Sequence, residues 1–122
     1  MRYMFLIYSQ ELPSGVPPEE REPIMRAHSA VMEESARKGV LLGASPLKPT
    51  STATTVRMTG GKPVITDGPF AETKETLAGY YIIDCANLDE AIEWAKRIPS
   101  NCKGASGCIE IRPIAEIPKP VG

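Results

Sequence analysis

An α+β fold is what the order of hydrophobic patterns in this sequence predicts. A strand-like run, an amphipathic helix pattern and a second strand come first, and a similar set closes the chain. Between them, Thr54-Thr55-Val56-Arg57-Met58-Thr59 and Lys62-Pro63-Val64-Ile65-Thr66 flank Gly60-Gly61, the signal of a two-residue hairpin with a primed turn. The run at residues 77–84 is β-rich and unbroken. The resulting order, β-α-β, hairpin, β-α-β, is the split arrangement of a ferredoxin-like sandwich with an extra β-hairpin and both helices on one sheet face.

Each element has its own warrant. In residues 2–8, Tyr3, Phe5 and Ile7 alternate with Met4, Leu6 and Tyr8, so both faces are apolar and the strand is expected to be covered on both sides. A chain this small has helices enough for one face only. A second subunit packed sheet against sheet would cover the other, which predicts a twofold homodimer. Residues 9–18 are punctuated by Pro and Gly and read as a loop. Glu19, Glu20 and Glu22 suit a helix amino end, and Pro23 predicts either a broken first turn or a main helix that starts there. Ile24, His28, Val31, Met32 and Ser35 or Ala36 share one helical face, and Gly39 ends the helix as a left-handed cap. Val40-Leu41-Leu42 opens a strand that Pro46 and Pro49 stop near Leu47. Asn87 with Glu90 makes a capping-box-like start to a second helix. Its expected buried stripe is Leu88, Ala91, Ile92, Ala95 and Ile98, and Pro99 ends it. After a polar loop at 100–106, residues 108–114 form a last strand with Ile109 and Ile111 inward and Glu110 and Arg112 outward. One domain at 1–115 and a tail at 116–122, containing Pro118 and Pro120, complete the layout.

Bulk properties exclude several classes. The 122 residues suit a single domain, and 42% hydrophobic with 24% charged content is ordinary for a globular chain. A formal net charge of -1 offers no basic face for nucleic acid. No apolar run approaches the roughly 20 residues of a membrane span, and the amino-terminal apolar stretch is too short for a signal peptide. Cys102 and Cys108 lack metal-ligand spacing, Cys85 reads as a core or strand residue, and all three read as reduced thiols of a cytoplasmic protein. One histidine and scattered carboxylates make no metal site, and no cofactor motif is present. Gly60-Gly61 is followed by no helix and cannot cradle phosphate.

Chemistry, where the sequence offers any, gathers at two places. Thr66-Asp67-Gly68-Pro69-Phe70-Ala71-Glu72-Thr73-Lys74 is a shaped loop at a strand end, because Gly and Pro there set unusual backbone angles. Asp67 has two readings: a turn residue that bonds nearby backbone N–H groups, or a functional carboxylate. His28, the single histidine, lies in the apolar stripe of the first helix. It is either a satisfied core histidine or a general acid or base, since imidazole alone titrates near neutrality unperturbed. Tyr8, Phe70 and Tyr81 could line an apolar pocket, and Lys74 with Arg57 and Lys62 could hold an anion. Core packing explains Tyr81 equally well.

Asp67-Gly68-Pro69-Phe70, the following Ala71-Glu72-Thr73-Lys74-Glu75 and Gly79-Tyr80-Tyr81-Ile82-Ile83-Asp84 together resemble the signature of the DGPF branch of the YCII-related family. The opening Met1-Arg2-Tyr3-Met4-Phe5-Leu6-Ile7-Tyr8, the Gly39-Val40-Leu41 step and Leu88-Asp89-Glu90-Ala91-Ile92-Glu93-Trp94-Ala95 extend the likeness to near Ile114. The resemblance implies a dimeric α/β-barrel type of assembly, with a His–Asp pair as active centre. Carried to this chain, it makes His28 and Asp67 the catalytic pair, and the residue types make Tyr8, Phe70 and Lys74 the candidate substrate-binding residues. The family's function is mostly unassigned, and the reading built on such a pair here is cofactor-free proton transfer or elimination on a small, aromatic or enol-like molecule. The alternative is a non-catalytic ligand-binding or regulatory dimer, linked to sigma-factor regulation because similar proteins include fusions to sigma-factor-like regions. The two diverge on whether His28 and Asp67 meet, within hydrogen-bond reach or one water apart, in a concave pocket.

Overall fold

The computed structural model describes residues 1–102 and 104–118. Its elements run β1 (Arg2–Ser9), α1 (Pro18–Arg37), β2 (Leu41–Pro46), a short 3₁₀ turn (Thr50–Thr52), β3 (Thr54–Thr59), β4 (Lys62–Asp67), β5 (Thr76–Asp84), α2 (Leu88–Ala95) and β6 (Gly107–Pro113). Four strands form an antiparallel sheet in the order β2-β5-β1-β6, an α+β arrangement compatible with a ferredoxin-like fold. β3 and β4 make a separate two-stranded sheet. Pro118 follows the last strand without regular structure, and Pro120 lies outside the described residues.

The core sits between the helices and one sheet face. Tyr3, Phe5 and Ile7 of β1 and Tyr81 and Ile83 of β5 meet Val31 of α1 and Ala91, Trp94 and Ile98 of the α2 segment in one buried cluster. Phe5 and Ile83 are fully buried, each contributing about 1.5–3 kcal/mol of transfer free energy. Strand alternation leaves Met4, Leu6 and Tyr8 on the opposite face, half-buried.

Helix α1 begins at Pro18 and passes through Pro23 without a break, so neither a fractured first turn nor a start at Pro23 is what forms. The missing N–H of Pro23 costs the carbonyl of exposed Glu19 its helical partner, a group that water reaches. Gly39 ends the helix as expected. It sits at φ 74, its N–H reaches the Ala36 carbonyl, and the Val40 N–H bonds the Ser35 carbonyl, a Schellman closure. Within the expected apolar stripe Val31 and Ser35 are buried, whereas Met32 is partly exposed and Ala36 is exposed. Ser35 is tolerated because its hydroxyl donates to the Val31 carbonyl at 2.7 Å.

Helix α2 starts at the expected box: Asn87 Oδ1 accepts from the Glu90 N–H at 2.9 Å, and Glu90 Oε2 accepts from the Ala86 N–H at 3.1 Å. Its buried stripe differs from the expected one. Ala91, Trp94 and Ile98 are inside, while Leu88 and Ile92 are 51% and 37% exposed. Trp94, the largest apolar side chain of the helix, takes the central position, and Lys38 and Arg97 stand over its ring at 5.4 and 5.1 Å. Glu34 ties the same cations together, 2.5 Å from Arg97 and 3.2 Å from Lys38, and they hold its carboxyl below the usual carboxylate range. The hairpin forms as read, with Gly60 and Gly61 at φ 58 and 79, the angles a type I′ turn requires.

Candidate functional site

A cavity of about 500 Å³ opens between α1, the inner sheet face and the loop at residues 99–102. It falls in the size range of small-molecule sites. Two of its titratable side chains, His28 and Tyr81, meet from opposite walls. His28 stands one turn before buried Val31 on α1. Tyr81 lies on the inward face of β5, across from Phe5. Nδ1 of His28 and the Tyr81 hydroxyl are 2.7 Å apart, and the rings stack at 5.9 Å with 15° between their planes.

Burial sets the protonation of both. It pulls the His28 imidazole below its ordinary 6.5 and pushes the Tyr81 phenol up to about 12. At neutral pH the bond therefore joins two uncharged groups. The phenol is the stronger donor and the imidazole nitrogen the stronger acceptor, so we assign Tyr81 O–H as donating to Nδ1. This leaves Nε2 protonated, and that nitrogen bonds to no other described residue. Because the phenol oxygen can also accept, the reverse tautomer keeps the same 2.7 Å contact and exposes Nε2 as a base.

The remaining residues proposed from sequence lie elsewhere. Asp67 ends β4 and is exposed, and the structure does not bring it to His28: the partner of His28 within the subunit is Tyr81. The physical reason is topological, since β4 pairs only with β3 and the hairpin stays off the four-stranded sheet. What the Asp67-Gly68-Pro69-Phe70 bend does locally is close the base of that hairpin. Gly68 N–H donates to the Ala53 carbonyl at 2.7 Å, Thr55 Oγ1 donates to the Gly68 carbonyl at 2.8 Å, and Arg57 reaches the Phe70 carbonyl at 3.4 Å. The Phe70 ring is 75% exposed. Lys74 lines a different, polar hollow with Glu11, Thr50 and Glu72, where Glu11 accepts from both the hydroxyl and the N–H of Thr50. Tyr8 is on the outer sheet face and does not line the His28 cavity. Tyr81 is the site residue that sequence reasoning left undecided. Its signal was parity, since it shares an inward strand face with Gly79 and Ile83.

Among the described residues no group of His, Cys, Asp or Glu is arranged to hold a metal ion, and no helix is long and apolar enough to cross a membrane. The three cysteines are unpaired, and burial pushes the Cys85 thiol up to about 11.

Sheet order and cavity together define the class: a small α+β domain with one helix-to-sheet pocket gripped by an imidazole–phenol pair. The chain belongs to the YCII-related family, whose domain model matches residues 1–118. It is 44% identical over 116 residues to an uncharacterised protein of Rhizobium meliloti (strain 1021), an overlap of 94% of this chain and 93% of that relative.

Proposed function

We propose that this chain is a homodimeric, cytoplasmic, cofactor-free acid–base catalyst that moves a proton on a small molecule held in the His28 cavity. The observation that carries this reading is the 2.7 Å bond between two neutral titrating groups inside a predominantly apolar hollow. His28 is the acid–base residue, and Tyr81 holds its ring and bonds Nδ1 in either tautomer. In the tautomer with Nε2 free, His28 takes a proton from carbon and becomes imidazolium, with Nδ1–H held by the phenol oxygen. The same proton then goes to the substrate's oxygen, to a second carbon or to a leaving group, so the ring ends as it began. Such a positioned acid–base group is worth roughly 10²- to 10⁴-fold in rate. The ligand-binding alternative draws its support from the apolar lining, which would hold a ligand without any chemistry.

Membership of the DGPF branch and a dimeric barrel assembly belong to the same reading. Support for the second subunit comes from the outer sheet face, where Met4, Leu6, Tyr8, Tyr80 and Ile82 are left half-buried. Unpaired thiols fit a reducing compartment.

The test is a metabolite screen with wild type, His28→Ala, Tyr81→Phe and Asp67→Ala. A substrate turned over by wild type should lose roughly 10²- to 10⁴-fold in rate with His28→Ala. Asp67→Ala should leave the rate unchanged. Turnover indifferent to His28→Ala would remove the catalytic reading, and a loss with Asp67→Ala equal to that of His28→Ala would return Asp67 to the site by way of a second subunit.

A further inference from the structure

Among the described residues that line the His28 cavity there is no Lys, Arg, Asp or Glu, and burial favours the neutral forms of His28 and Tyr81. The rest of the wall is mostly apolar, and its other polar side chains are serine hydroxyls, the Gln10 and Asn101 amides, the Tyr80 phenol and the Cys102 thiol. An anion entering such a space would shed its hydration with no guanidinium, ammonium or metal to replace it, and a cation would find no carboxylate.

The mouth adds an independent observation. Val16, Met25 and Met32 line the cavity yet are 39%, 68% and 37% exposed. Apolar side chains left in water around a concave space gain by being covered, and two flexible thioethers can fit themselves to ligands of differing outline.

Building on the proposed acid–base role of this cavity, we infer that it takes an uncharged, predominantly apolar molecule with one hydrogen-bonding oxygen, of the class of fused-ring phenols, enols and cyclic ketones, and rejects carboxylates, phosphates and ammonium compounds. The oxygen would meet the Nε2 side of His28, since the Nδ1 side is taken by Tyr81. Size agrees, because about 500 Å³ holds a fused bicyclic compound with room for substituents.

Three probes of one shape and different charge decide it: 2-naphthol, 2-naphthoate and 2-naphthylmethylammonium, titrated into the full chain at pH 7. NMR signals of the His28 imidazole and the Tyr81 ring report where each binds. The expected result is that 2-naphthol moves both signals and binds at least about tenfold more tightly than either charged probe, the ordinary penalty for burying an unpaired charge. Equal or tighter binding of 2-naphthoate or the ammonium probe, with both signals moving, would overturn the ligand class and leave the cavity as the site. If none of the three moves either signal, the ligand class and the cavity reading fall together.

Discussion

Held 2.7 Å apart in an apolar wall, the His28 imidazole and the Tyr81 phenol are each other's main polar surroundings, and this makes His28 a titration sensor for folding. Its pKa is lowered in the folded chain by burial, whereas in the unfolded chain it stays near 6.5. Between those two values the unfolded chain binds the extra proton, so stability rises with pH across the window. Above 6.5 both states are neutral at this residue and the term vanishes. Thermal unfolding midpoints should therefore fall as pH is lowered from about 6.5, and His28→Phe should flatten that part of the profile relative to wild type. An unchanged slope in the variant would mean that His28 is no more buried than a surface histidine. The assigned tautomer has its own readout. Imidazole ¹⁵N shifts should show Nδ1 unprotonated in wild type and lose that preference in Tyr81→Phe, where no hydroxyl remains to donate.

The elements differ in how they are held, and the difference is measurable. The β3–β4 hairpin pairs only with itself and leaves Val56, Met58 and Ile65 more than half exposed, whereas β1 lies between β5 and β6 with a buried face. A lone two-stranded hairpin is marginally stable, so its amides should exchange with deuterium well before those of β1 and β5. Comparable protection in both sheets would show that something covers the hairpin in solution. Where β6 begins, Gly107 meets a tighter constraint: a Cβ there would lie 2.1 Å from the Ser100 carbonyl oxygen and 2.8 Å from that of Tyr8. Gly107→Ala must push away the 99–102 loop that walls the cavity. It should cost about 1–3 kcal/mol in denaturant unfolding and loosen probe binding. This position also marks the boundary of what sequence could tell. The Gly60-Gly61 turn, the Gly39 cap and the Asn87 box were legible because their causes are local. The α2 stripe was misplaced because the line Ala91, Trp94 and Ile98 fits helical spacing as well as the one through Leu88 and Ile92, and which of the two faces the sheet depends on how the helix is rotated against it. His28 stood out as the single histidine on an apolar face. Its partner did not, since which residue meets it depends on where the hairpin lies relative to the sheet.

At the scale of the whole molecule the unresolved balance is the outer sheet face. β5 serves two masters by alternation: Tyr81 and Ile83 point to the core, while Tyr80 and Ile82 point away. Register places Met4 beside Ile82 and Leu6 beside Tyr80, so these four form a contiguous apolar patch across the central strands. On β6 the same rows continue as Arg112 beside Met4 and Glu110 beside Leu6, both exposed. An apolar centre with a charged margin is the anatomy of a protein interface, and a twofold axis would let the patch cover its own copy. Stable interfaces bury on the order of 1,200–2,000 Å² in total, so the pairing would have to engage all four strands of each sheet. The proposed homodimer therefore makes a sharp demand. Light scattering on the wild-type chain, 13.2 kDa as a monomer, should return twice that mass at micromolar concentration. Ile82→Lys and Leu6→Lys put a charge at the centre of the patch and should return the monomer mass. Leu88→Lys on the exposed side of α2 serves as the control and should leave the dimer intact. Retention of native circular dichroism by the Lys variants separates lost pairing from lost folding. A wild-type chain that stays monomeric throughout would mean that Met4, Leu6, Tyr80 and Ile82 face solvent, and sheet-to-sheet pairing would have to be given up.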